Sequence, residues 1–116
     1  MSEFSFSEYQ TGTGKTAIYP GVGTGGLTGI CYCAMKLAGE TGEVVEKIAK
    51  AKLRGDGTSD AELRLQVKKE LGDVLWYVSQ LATEFGLGLA EIAQGNLTKL
   101  ADRQQRGVLK GSGDDR

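Results

Sequence analysis

The chain has no histidine, one proline and two cysteines among its 116 residues. Without histidine there is no Ser–His or Cys–His nucleophile pair and no His-bearing zinc site, and two cysteines alone do not close a structural zinc tetrahedron. A carboxylate-bridged di-iron bundle, which draws on Glu-x-x-His, is set aside for the same reason. Cys31 and Cys33 fall about 200° apart around a helix axis, which argues against a local disulfide or a shared metal. They read as small, reduced packing residues.

Charge of one sign is also missing. Fourteen basic residues face fifteen acidic ones, for a net charge of −1, so the broad cationic surface of a nucleic-acid binder is absent. No apolar run approaches the roughly 20 residues of a membrane span, and "MSEFSFSEYQ" lacks the basic-then-apolar layout of a signal peptide. The expectation is a soluble, cytoplasmic protein with no membrane partner. At this length it is one domain, residues 1–116, small enough that a partner subunit is expected to help bury its apolar surface.

"TGTGKT", Thr11 to Thr16, resembles the end of a phosphate-binding loop. The full pattern G-x-x-x-x-G-K-[ST] needs a glycine where Tyr9 stands, a buried strand before it and a helix after it. "FSFSEYQ" is no hydrophobic strand, and "AIYPGVGTGG" breaks at Pro20 and its glycines. Residues 1–27 are therefore read as an irregular segment whose Ile18 and Tyr19 pack on a helical body, with Lys15 and Thr16 available to fold over a ligand held elsewhere.

From Thr28 onward the apolar residues take the helical period. Ile30, Ala34, Leu37, Val44 and Ile48 predict a helix over about 28–53. "RGDGTSD" breaks it, and Ser59 with Glu62 has capping-box spacing for a second helix. Leu63, Val67, Leu71, Val74, Val78, Leu81 and Phe85 carry that helix to "FGLG". A third runs from about Leu89 to Arg106, with Ile92, Leu97 and Leu100 on one side, and Gly107 stops it. No strand is expected. The tail, 107–116, is Gly-rich and reads as a flexible end unless a ligand or neighbour orders it. Trp76 falls on the far side of its helix from the core, where it suits a subunit interface, and with Tyr19, Tyr32 and Tyr77 it is a candidate for stacking on a base.

Carboxylates concentrate at two places. Glu40 and Glu43 lie on one stripe of the first helix with Lys36 and Lys47, and Glu70 and Asp73 lie on one side of the second. Packing the helices brings the two pairs together beside the apolar core, where four carboxylates are tolerated only with a cation among them. An all-oxygen donor set suits Mg²⁺ or Mn²⁺, and two or more ions there bridge a polyphosphate and activate a water. Gly39, Gly42 and Gly72, each costing about 1 kcal/mol inside a helix, are explained if helices or a ligand approach the backbone closely. Acids at such spacing on one helix are ordinarily its solvated face; two pairs on consecutive helices, beside the core faces, favour a metal site.

The motif Glu40-x-x-Glu43, a spacer and then Glu70-x-x-Asp73, within "LAGETGEVVEKIAK" and "ELGDVLWYVSQLATEFGL", resembles the MazG-like all-α nucleoside triphosphate pyrophosphohydrolases. The likeness extends to "TAIYP" and "NLTKLADRQQRGVLKGSGDDR", typical of short phage and bacterial members. It implies an all-α fold that forms a four-helix bundle on assembly as a homodimer or homotetramer. It also implies hydrolysis of a (d)NTP to (d)NMP and diphosphate with Mg²⁺, in the cytoplasm of a bacterial cell or phage-infected host. By the same resemblance Glu40, Glu43, Glu70 and Asp73 are metal ligands and catalytic, Lys36, Lys99 and Arg103 hold phosphates, and Asn96 contacts substrate. A deoxynucleotide is expected, with dGTP first and dUTP or dCTP behind it. In the tail, Lys110 and Arg116 are candidates to meet phosphates, while Asp114 or Asp115 accepts from guanine N1–H and N2–H₂. The alternative of another class is a non-catalytic helical dimerisation module whose acids are merely solvated.

Overall fold

The computed structural model describes residues 3–116. Four α-helices form it: α1 (Phe6–Thr16), α2 (Leu27–Ile48), α3 (Asp60–Glu84) and α4 (Leu89–Gln105), with a π-helical turn, Ala49–Leu53, closing α2. There is no strand among the described residues. The all-α expectation holds, and α2 to α4 begin and end close to the bounds read from periodicity.

The N-terminal segment differs from expectation. Its residues 6–16 are helical, with irregular backbone before them at 3–5 and after them from Ala17 to Gly26. The Ser5 hydroxyl starts α1 by accepting the Glu8 N–H at 3.1 Å, the usual N-cap arrangement. Gly12 and Gly14 weaken the helix intrinsically, but packing on α3 outweighs that. Thr13 is buried, with its hydroxyl 2.9 Å from the Ser79 hydroxyl and 2.6 Å from the Gln80 carbonyl oxygen that accepts from it. Gln10 ties the same helix to the α3–α4 turn. Its amide donates to Thr83 Oγ1 and the Leu87 carbonyl, and its carbonyl accepts the Leu89 N–H.

Helices α2 and α3 make the principal packing and run antiparallel. The Ser59 hydroxyl caps α3 by accepting the Glu62 N–H at 3.1 Å, and Asp60 and Glu62 favour the positive end of the helix. At the open end of the hairpin, where α2 begins and α3 ends, Glu84 is buried against Gly29; a Cβ on Gly29 would stand 2.7 Å from the Gly21 carbonyl oxygen and 3.0 Å from Glu84 Oε1. The Glu84 carboxylate accepts from the Tyr19 hydroxyl, from Gly23 N–H at 2.8 Å and from Gly25 N–H at 3.0 Å. Burial alone would raise its pKa, but these three donors outweigh it and hold the carboxyl below its ordinary value. Gly23 and Gly25 have φ of 74° and 66°, a conformation that presents successive N–H groups to one anion and that L side chains resist.

Several apolar positions assigned to the core are exposed in the single chain. Leu71, Phe85 and Leu97 are 52%, 59% and 62% accessible, and Ala34, Ile48 and Ile92 are exposed too. The radius of gyration is 17.1 Å, whereas a compact domain of this length has about 13 Å. A single hairpin layer offers too little surface to bury both its faces. Ile18 is also exposed, and only Tyr19 of the expected pair is buried. Cys33 is buried and Cys31 is exposed, so one of the two is a packing residue, as their opposed directions on a helix require.

Removing the Glu84 charge tests this end of the hairpin. Glu84→Gln puts an amide N–H₂ among backbone donors and is expected to cost about 1–3 kcal/mol at pH 7. Because the folded pKa is depressed, the ionised carboxyl stabilises the fold above the ordinary value of 4.5. That contribution disappears as pH falls through the folded value. Denaturant titrations of both proteins should show the gap narrowing below pH 4.5; a gap constant with pH would contradict it.

Candidate metal centre

The register of α2 on α3 decides which acids meet. Glu40 follows Gly29 by eleven residues, and Asp73 precedes Glu84 by eleven. With Gly29 level with Glu84, Glu40 therefore lies level with Asp73. The same count places Glu43 level with Glu70, since each pair is three residues further on.

Glu40, Glu70 and Asp73 each offer a carboxylate oxygen, and these atoms lie within 4.8 Å of one another. Glu40 is half-buried. Its pKa is pushed up by desolvation first, then by the charges of Asp73 and Glu70, with Lys36 partly offsetting them and Glu43 adding to them. Among the described residues no side-chain donor is bonded to any of the three carboxylates. Three mutually repelling oxygen donors within reach of one ion, one of them half-desolvated, fit a hard divalent cation. They do not fit a soft one, since neither cysteine joins them.

Beside this cluster opens a cavity of about 560 Å³. Glu40 and Asp73 stand in its wall, and Tyr19, Tyr32, Trp76 and Tyr77 supply an aromatic side. Tyr19 and Tyr32 stack with centroids 5.5 Å apart at 11°, and Trp76 meets Tyr77 edge-on at 4.9 Å. Trp76 is thus not on a free outer surface. Its indole N–H donates to Thr16 Oγ1 at 3.1 Å, because α1 covers the face of α3 that periodicity leaves outside. Lys15 does not line this cavity, and "TGTGKT" makes a helix end instead of a phosphate loop.

The remaining sequence-predicted residues are placed differently. Glu43 is exposed and outside the group of three, though close enough to act on Glu40. Lys36 is exposed beside Glu40, and Asn96 is exposed on α4. Lys99 and Arg103 do not line the cavity. They converge on the tail, where Lys99 Nζ is 3.0 Å from Asp114 Oδ1 and Arg103 Nη2 donates to the same oxygen at 3.1 Å and to the Asp114 carbonyl at 2.8 Å. Arg103 is buried there, and the two cations hold the Asp114 carboxyl below its usual range. Arg116 turns back on the carbonyls of Val108, Leu109 and Gly113, so the tail is a closed loop and not a loose end. Lys110 and Asp115 are exposed. Gly39, Gly42 and Gly72 face open space, with nothing within 4 Å of a Cβ, so close approach within the chain does not explain them.

A family model describing the MazG nucleotide pyrophosphohydrolase domain matches residues 32–108. The chain belongs to this family. It is also 45% identical over 109 residues to the "Gene 37 protein" of Mycobacterium phage L5, covering 93% of this chain and 96% of that one. No solved structure matches. MazG domains carry out nucleotide pyrophosphohydrolysis on nucleoside triphosphates and are typically dependent on divalent metal, in keeping with the oxygen cluster on α2 and α3.

Sequence reasoning missed Glu84 and its partners. The signal was present: Asp73, Tyr77, Gln80 and Glu84 recur at steps of four, three and four along α3, which puts a polar stripe on the face that carries the site.

Metal binding is testable without turnover. Saturating Mn²⁺, at about 100 times its Kd, should stabilise the wild-type chain by about 2.7 kcal/mol. Glu40→Gln and Asp73→Asn should lose most of that rise, and metal-free Glu40→Gln should melt no lower than wild type because a crowded charge is gone. Thermal melts with and without Mn²⁺ read both effects; an undiminished rise in either variant removes that residue from the centre.

Proposed function

We propose that this chain is a metal-dependent nucleoside triphosphate pyrophosphohydrolase that releases diphosphate and a nucleoside monophosphate from a deoxynucleotide. The observation that carries the reading is the junction of the carboxylate cluster with an aromatic cavity, which joins a place for charged phosphates to a place for a base. Divalent Mg²⁺ or Mn²⁺, when bound, supplies charge neutralisation of the polyphosphate and lowers the pKa of an attacking water. Glu40, Glu70 and Asp73 hold the ions. Glu43, level with Glu70 in the helix register, is proposed as the fourth ligand. Lys36, beside Glu40, meets the phosphates. The aromatic side chains stack on the base and exclude water from one side of the substrate.

The cavity volume of about 560 Å³ admits a purine, and we place dGTP first, with dUTP and dCTP behind it. Asn96, Lys99 and Arg103 are proposed to contact substrate once Asp114 gives up the two cations, with Lys110 and Arg116 joining at the phosphates. A homodimer or homotetramer built as a four-helix bundle is proposed from the exposed apolar positions of α3 and α4 and the open shape of the single chain.

The experiment is a screen of the common NTPs and dNTPs with Mg²⁺ or Mn²⁺, following diphosphate against orthophosphate. Diphosphate release that stops in excess chelator is expected. Orthophosphate as the sole product, or full activity in excess chelator, would overturn the assigned reaction, and no turnover of any of these nucleotides would favour the non-catalytic dimerisation module. Asp73→Asn and Glu43→Gln should lower kcat by about 10²-fold or more, as loss of a charge-stabilising group at a reaction centre does, while circular dichroism stays helical. For the tail, Asp114→Asn weakens the hold on Lys99 and Arg103 and is expected to lower KM; a raised KM would mean that the clasped tail itself aids binding.

A further inference from the structure

Gln80 and Glu84, the buried end of the polar stripe on α3, are not used by the chemistry above, yet both hold a residue of the cavity wall. Gln80 and Ser79 are fully buried and Glu84 is 5% accessible. Gln80 donates to the Tyr19 hydroxyl oxygen at 3.1 Å, while the Tyr19 hydroxyl donates to Glu84. The Gln80 carbonyl in turn accepts from Thr13 of α1. Every buried side-chain polar atom among the described residues has a partner. Tyr19 is therefore held at its hydroxyl by two residues of one helix, and its ring, stacked on Tyr32, forms part of the cavity.

A tyrosine on an irregular segment ordinarily samples several rotamers, and its backbone moves with the loop. Here both freedoms are removed by one carboxylate. Glu84 Oε2 accepts from the Tyr19 hydroxyl and the Gly23 N–H, and Oε1 accepts from the Gly25 N–H. The side chain and the glycine loop that follows it are anchored at the same point. Gly29, where a side chain would collide with Gly21 and Glu84, lets α2 close over that point.

We propose that Glu84 is a positioning residue for base recognition: by fixing Tyr19 and the loop through Gly25 it sets the aromatic wall that receives the nucleobase, without taking part at the metal centre. The proposal rests on the nucleotide reading given above. It assigns affinity for the base to a residue on the far side of the tyrosine from the ligand, and it separates base binding from phosphate binding. Glu70 and Asp73 share α3 with Glu84, and both Tyr19→Phe and the isosteric Glu84→Gln keep a side chain of the same shape against Gly29, so α2 keeps its register and the carboxylate cluster stays where it is.

The test compares a non-hydrolysable α,β-imido deoxynucleoside triphosphate with inorganic tripolyphosphate, both with Mn²⁺, by titration calorimetry. Quenching of Trp76, the chain's one tryptophan, follows the nucleotide in parallel. Tyr19→Phe keeps the ring and removes only the tether; Glu84→Gln removes the anchor. Both should weaken the nucleotide about three- to tenfold, the size of a partly lost base–aromatic stack, and leave tripolyphosphate binding unchanged. Equal losses for the two ligands, or no loss for the nucleotide, overturn the positioning role while the nucleotide reading stands. Should Glu84→Gln fail to fold, Tyr19→Phe decides alone. A wild-type chain that binds tripolyphosphate but no nucleotide overturns both the nucleotide reading and the role built on it.

Discussion

Glu84 is buried at the open end of the α2–α3 hairpin, and the facing helix can approach it only because Gly29 has no side chain. That contact fixes how far α2 slides along α3. A shift of one residue would rotate each helix by about 100° relative to its partner's side chains, and Glu40 would no longer face Asp73. The acid cluster therefore depends on the shape of a contact outside it, and the E-x-x-E and E-x-x-D motifs have their meaning through the helix register.

The α2–α3 pair holds acidic groups in two opposite electrostatic conditions. Glu84 has three donors and a depressed pKa. Glu40, facing Asp73 across the hairpin, has no donor among the described residues and a raised pKa, because its neighbours are Asp73 and Glu70. A satisfied buried carboxylate stabilises structure, whereas an unsatisfied cluster stores repulsion that a cation relieves. This contrast separates the structural acid from the candidate ligands more sharply than burial does. Tyr19 shows the reciprocal effect: desolvation and the adjacent Glu84 push its phenol far up, so it stays a neutral donor across the physiological range.

Two features of the single chain point outward. Leu71 and Leu97 are more than half accessible, and Gly39, Gly42 and Gly72 open onto empty space, which makes room for a helix from another copy or for ligand. At the other end, Asp114 sits on Lys99 and Arg103 as a carboxylate would on any pair of cations one helical turn apart. Arg103 is nearly inaccessible under the tail, so an incoming anion has to exchange with Asp114 and cannot simply add.

By itself the sequence determined the helical class, the bounds of α2, α3 and α4, and which acids share a face of each helix. Each of these is local: a 3.6-residue period, a Ser59 cap, and carboxylates three residues apart that share a helix face whatever the helix packs against. The tertiary structure alone decided that residues 6–16 are helical, since Gly12 and Gly14 oppose it and only the bonds of Gln10 and Thr13 to α3 and its turn overcome them. It decided that Trp76 faces a cavity, because α1 covers a side of α3 that periodicity counts as outside. It also decided that Glu84 is structural while Glu40 is not, since what surrounds a carboxylate comes from residues distant in sequence, Tyr19, Gly23 and Gly25 for one and Glu70 and Asp73 for the other.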